Sequence, residues 1–161
     1  MNSIQSFPKE LKILIAVFII VLTIGVTIGL IYVGYNTDYS VKGTQTYYTG
    51  DPVSSDFDIP EMYPKSIEAL LLTTHTHIIA FAIIFLVVGA LMFFTNSLPS
   101  KWKFFLMIEP LISTLVTFGS FFAIRFVHSS FVYVIMVSGI LMYVSFYFMS
   151  YIIFKESISP H

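Results

Sequence analysis

Four long apolar stretches constrain this chain more than anything else in it. A helix crosses the ~30 Å hydrocarbon core of a bilayer with about 20 mostly apolar residues. Four segments meet that requirement, about 11–33, 67–94, 104–125 and 131–154. Only 11% of the residues are charged and 57% are hydrophobic, whereas a soluble domain carries roughly 25% charged residues. The expected fold is therefore an all-α integral membrane protein, a four-transmembrane-helix bundle forming a single membrane domain over 1–161. The breaks are legible: "TNSLPSKWK" (Thr95–Lys103) and "RFVHSS" (Arg125–Ser130) are polar turns, with Ser129 or Ser130 suited to cap the fourth helix. The first span reads as a retained helix. Its apolar run exceeds a 7–15-residue signal core, and no small-x-small cleavage site follows it.

Lysine and arginine placement gives a direction. With the N-terminus inside, the inner segments hold Lys9, Lys12, Lys101, Lys103 and Lys155, and the outer ones hold Lys42, Lys65 and Arg125. This bias predicts both termini in the cytoplasm, with the 30-odd residues of 34–66 extracytoplasmic; in a bacterium the chain then sits in the inner membrane. That loop is acidic and rich in Tyr, Gly, Thr and Pro, so it reads as a solvated loop packed on the bundle by its tyrosines. "YYTGDP" (Tyr47–Pro52) is turn chemistry, and "DFD" (Asp56–Asp58) is too short for a calcium loop. The near-neutral charge and the lack of a basic cluster point away from nucleic acid.

Ionisable side chains in lipid are expensive, and those that occur mark function or interior contacts. "THTH" carries His75 and His77, roughly 14–17 Å along a helix starting near Ser66. Residues i and i+2 differ by about 200° around a helix, so the two rings cannot share one metal ion while the helix is regular. His75 shares a stripe with Glu68, Leu71 and Leu72, which favours it as the inward ring, with His77 bonded locally. Glu68, His75, His77, Arg125 and His128 all map to the same end of the bundle, a candidate cofactor site with His75 and His77 as candidate metal ligands. The plainer alternatives are a core histidine bonded to a backbone carbonyl, and Arg125 and His128 reaching the headgroups.

Glu109 precedes Pro110 inside the third span. It is either a carboxylate reaching Lys12, Lys103 or Lys155, or a proton-relay group, and Pro110 should kink the helix. Gly25 and Gly29 form a GxxxG that permits a close helix–helix contact, within the bundle or with another protein. The chain has no cysteine, which excludes disulfides, Fe–S ligation and c-type (thioether-attached) haem. It has no nucleotide loop, GxSxG or HExxH, and nothing nominates a nucleophile, so the enzyme reading is disfavoured.

The stretch "LLTTHTHIIAFAIIFLVVGALMF", the run from Glu109 to Ser150 and "TQTYYTG" together resemble a family of largely uncharacterised bacterial four-span membrane proteins with a His-x-His helix. Longer members of that family carry a CxxCH c-type haem site in the outer loop, which this cysteine-free sequence lacks. The resemblance implies a membrane protein near periplasmic electron transfer.

Three functional expectations follow. The first is a small inner-membrane subunit binding haem b, a quinone or a metal at its outer half, associated with respiratory electron transfer. The second is a non-redox structural or assembly subunit of a membrane complex. The third is a small transporter or channel, for which no inverted repeat is visible. Lipid, other membrane subunits or a second copy of the chain are the expected partners.

Overall fold

The computed structural model describes residues 3–52 and 59–159, so Asp56–Asp58 lie outside the described residues. A 3-10 turn (Ile4–Ser6) precedes α1 (Lys9–Thr37), α2 (Val41–Thr49), α3 (Ile67–Phe93), α4 (Ser100–Phe126) and α5 (Phe131–Ile158). Helices α1, α3, α4 and α5 are long and apolar enough to cross a membrane. The chain is an all-α, multi-pass membrane protein in contact with lipid.

Bilayer thickness sets the apolar length of each span, while local capping sets where each helix stops. α1 therefore runs past its apolar stretch to Thr37, and α4 starts at Ser100. The Ser66 hydroxyl accepts from Ala69 N–H and opens α3, as Ser40 accepts from Gly43 N–H and opens α2. Ser130 occupies the cap position of α5 but makes no side-chain cap bond; its own N–H donates to His128 Nδ1 at 3.1 Å. Part of the expected loop is thus helix α2. Gly50, at φ 78°, stops it where only glycine is comfortable. The turn before α2 places Asp38 and Tyr39 at positive φ, and the Tyr39 ring lies on Gly34, where an added Cβ would fall 2.2 Å from ring atoms.

The long helices do not close into a ring. α3, α4 and α5 pack on one another, α1 joins through α5, and α2 lies across α1, α4 and α5. The 3-10 turn and the start of α1 meet the end of α5 at one end (the termini end), where Ser3 bonds Glu156 and Lys12 bonds Ser159, and α2 lies at the other (the α2 end). A relay of aromatic rings carries the core, from Tyr48 through Phe121, Phe118, Phe81 and Phe85 to Phe146, with centroids 4.5–6.4 Å apart. Such pairs contribute about 0.5–1.5 kcal/mol each beyond their buried area. Hydroxyls link the helices where lipid offers no hydrophobic driving force: Thr117 with Ser138 at 2.7 Å between α4 and α5, and Thr27 with Tyr147 at 2.8 Å between α1 and α5.

Of the two uses expected for Gly25 and Gly29, the contact within the bundle is not the one made. Both glycines are exposed, and a Cβ at either would meet nothing within 4 Å. α1 meets α5 through Ile15, Ala16, Ile19 and Val26 instead, and its GxxxG faces outward.

Candidate functional site

The candidate residues separate into three places. At the α2 end, Arg125 Nε donates to the Lys65 carbonyl at 3.2 Å, which pins the segment entering α3 onto the end of α4. Lys65 Nζ sits 4.0 Å above the Tyr47 ring. The Asp51 carboxylate accepts from Met62 N–H at 2.7 Å, and Tyr48 is buried with its ring 4.5 Å from that of Phe121. Burial pushes the Tyr48 phenol well above its ordinary value, with Tyr47 adding to the shift. His128 is exposed and accepts from Ser130 N–H, and Glu68 is exposed in the first turn of α3, where the helix dipole favours a carboxylate. These groups share one end without forming a cage. Among the described residues, no three of His, Asp and Glu lie close enough together to hold a metal ion.

The histidines lie about two to two and a half turns further along α3 than Glu68. His77, not His75, leans on the neighbouring helix. Its ring lies 5.0 Å from Phe118 and 6.4 Å from Phe81, and Nδ1 is 2.8 Å from the Thr73 carbonyl oxygen. A carbonyl only accepts, so Nδ1 carries the hydrogen and Nε2 of the neutral ring holds the free lone pair. His75 is exposed and makes no hydrogen bond among the described residues. The stripe shared with Glu68, Leu71 and Leu72 is real, but all four of its members are exposed. It is the outward face of α3, because α4 packs against the face carrying Thr74 and Phe81, with His77 at its edge, still exposed but with its ring against Phe118. The reversal follows from helical phase: an apolar stripe in a membrane helix can face lipid as readily as protein.

The third place is α4 beside Pro110. The helix continues through the proline, and Thr114 Oγ1 donates to the Pro110 carbonyl at 2.7 Å. Glu109 is half-buried. It reaches none of the lysines expected of it and instead accepts from the hydroxyls of Ser113, one turn on, and of Ser145 on α5, the latter at 2.5 Å.

One carboxylate escaped the sequence reading. Glu156, in the last turn of α5, is only 2% exposed. Its Oε1 accepts from Asn96 N–H and Ser97 N–H, both at 2.9 Å, and from the Ser97 hydroxyl at 2.5 Å. Ser3 Oγ donates to Oε2 at 3.4 Å. Two successive backbone N–H groups form an anion-binding concavity, here filled by the protein's own side chain. The partners lie about sixty residues away in sequence, so no local pattern announces them. Ser113 was readable, since it stands one helical turn from Glu109.

Residues 38–161 match the family model Aq_1264_TM, described as a transmembrane helical domain, and the chain belongs to that family. No curated protein and no solved structure matches it.

Proposed function

We propose that this transmembrane helical chain is a subunit of a larger membrane assembly, docked through the face of α3 that carries His75. The observation behind it is the unpartnered imidazole. α3 is 27 residues long, about 40 Å, against about 30 Å of hydrocarbon. Centred in the bilayer, it places His75 ~12 Å from Ile67 and ~7 Å inside the apolar layer. A polar ring held there without a hydrogen bond is unfavourable by roughly 1–3 kcal/mol or more. A second helix presenting a hydrogen-bonding group removes that penalty. The lysine bias supports an orientation with α2 outside, in the periplasm if the membrane is the bacterial inner membrane.

The position of His77 favours a second reading within the same assembly. Its Nδ1–H is spent on Thr73 O, the arrangement that orients an imidazole with Nε2 available to a metal. This is consistent with haem b, a quinone or a metal held on the His77 side of α3, with the other ligand from a second chain that reaches that side, and with a role in respiratory electron transfer. Photo-crosslinkers at Leu72 and Ile79, which flank His75 on its exposed face, should give a discrete adduct in native membranes, while one at the exposed Ile140 of α5 should not. Absence of any adduct from the two α3 positions rejects the docked subunit. A Soret band in the cross-linked complex, lost in His77→Leu, selects the haem reading.

A further inference from the structure

Glu109 takes no part in the docking face. It lies ~13 Å along α4 from Ser100, within the apolar layer. Both carboxyl oxygens are engaged, Oε1 by Ser113 Oγ and Oε2 by Ser145 Oγ at 2.5 Å. Neither partner carries a charge. Other ionisable groups on the packed elements stand well away or are already engaged. Lys103, six residues toward the termini on α4, donates to Thr95 O at 2.8 Å. His77 on α3 rests against Phe118, ~13 Å further along α4. On α5, Tyr147 is bonded to Thr27, Tyr143 stands edge-on to Phe81, and Lys155 and Glu156 are ten and eleven residues from Ser145. α2, which also touches α4, carries Lys42, Tyr47 and Tyr48 at the far end.

A carboxylate in hydrocarbon with only neutral partners needs a compensating cation. The oxygen–oxygen separations have hydrogen-bond length, which leaves room for a hydrogen between the atoms and not for a metal ion bonded to each at 2.0 Å or more. We propose that Glu109, Ser113 and Ser145 form a proton-binding site inside the membrane. On uptake, a proton adds to a Glu109 carboxylate oxygen. The resulting O–H donates to one serine oxygen, whose own hydroxyl hydrogen turns away, while the other serine keeps donating to the second carboxyl oxygen. Release reverses this, and both hydroxyls again donate to the carboxylate. No electrons move. The hydroxyl pair Thr117–Ser138 continues the polar seam one turn beyond Ser113 toward the α2 end, giving the proton a direction of exchange. Pro110 contributes by removing an N–H from α4, which leaves the Leu106 carbonyl without its helical donor beside the site.

The test is pH-difference infrared spectroscopy on the full chain in liposomes, between about pH 5 and about pH 9. A protonated-carboxyl band should appear on acidification and be missing from Glu109→Gln. Ser145→Ala should move its midpoint by about one pH unit, a tenfold change in proton affinity, which a purely structural serine would not do. Identical difference spectra for wild type and Glu109→Gln overturn the proposal, because Glu109 then keeps one protonation state throughout. Should Glu109→Gln fail to fold, an apolar carbodiimide on the wild type decides. A groove lined by Trp102, Phe105, Leu106 and Phe148 opens on the same side of α4, with Leu106 three residues from Glu109. An adduct at Glu109 that increases as pH falls sustains the site; one absent or indifferent to pH overturns it.

Discussion

The termini end and the α2-side half of α3 both carry ionisable groups, and they treat them differently. At the termini end Glu156, Lys12 and Lys103 are bonded within the chain. Glu156 holds the α3–α4 turn and the N-terminal 3-10 turn, Lys12 Nζ donates to Ser159 O at 2.6 Å, Lys103 Nζ donates to Thr95 O, and Ile4 N–H donates to Phe94 O. Along α3, His75 is left open, and the glycines of α1 likewise face outward. One end is bonded within a single chain; on the other face His75 has no hydrogen bond among the described residues. The contrast assigns stability to the termini end and, under the proposed function, association to α3.

The sharpest way to break this contrast is Glu156→Ala. It removes the buried acceptor of two backbone N–H groups and a hydroxyl on Asn96 and Ser97, which are themselves exposed, at roughly 0.5–1.5 kcal/mol each. The thermal midpoint in detergent should fall by the equivalent of about 2 kcal/mol or more, and Glu156→Gln, which keeps one acceptor oxygen, should lose less. An unchanged midpoint for Glu156→Ala would mean that the termini end is not what holds the chain together.

Next come the two histidines, which should fail differently. His77→Leu loses the bond to Thr73 O and should lower stability of the isolated chain by about 0.5–1.5 kcal/mol. His75→Leu removes an unpartnered polar group, so the isolated chain should be as stable as wild type or more so, while recovery of the α3 cross-linked species drops. Destabilisation of the purified chain by His75→Leu equal to that by His77→Leu would place both rings inside and erase the asymmetry.

Smaller still is the effect expected of Gly25→Leu with Gly29→Leu. The space beside both is open, so the stability of the purified chain should change by less than about 0.5 kcal/mol. A larger loss would show that α1 uses this face within the chain.

These outcomes bear on what the sequence could show. Four spans were legible because bilayer thickness is an external ruler that any apolar run of sufficient length satisfies. Helix α2 was not, because Val41–Thr49 has no strong apolar period and is stabilised by the Ser40 cap and by Tyr48 docking on Phe121. The rotation of α3 was misjudged for a related reason. In lipid, an apolar residue such as Leu71 or Leu72 is equally at home on either face, so the polar residues must set the phase, and His75 and His77 point in conflicting directions. The GxxxG of α1 was visible as a capacity for close approach, but the sequence does not say which surface approaches. Glu156 sits beside Lys155 in what reads as an ordinary charged flank; its importance comes from Asn96 and Ser97, brought to it only by the finished fold.

An effect that is negligible at neutral pH, and grows only in alkali, concerns the α2 end, where closure rests on Tyr48 rather than on a carboxylate. Its phenol is raised above the ordinary 10.0, first by burial and then by Tyr47. The folded chain therefore keeps the proton at pH values where the unfolded chain releases it. The sign follows: below pH 10 both states hold the proton and the contribution of Tyr48 is complete, whereas above pH 10 the unfolded state is favoured progressively, by at most about 1.4 kcal/mol per pH unit. Tyr47 is raised in the same direction, by burial and then by Tyr32, and adds to the alkaline loss. Tyr48→Phe keeps the ring on Phe121 and removes the ionisation, so its stability above about pH 10 should decline less steeply than that of wild type, with little difference at neutral pH. Thermal midpoints of both proteins at neutral and alkaline pH measure this. Parallel alkaline declines would mean that Tyr48 is reached by solvent in the folded chain, and that the α2 end is held by the Arg125–Lys65 bond in place of the buried ring.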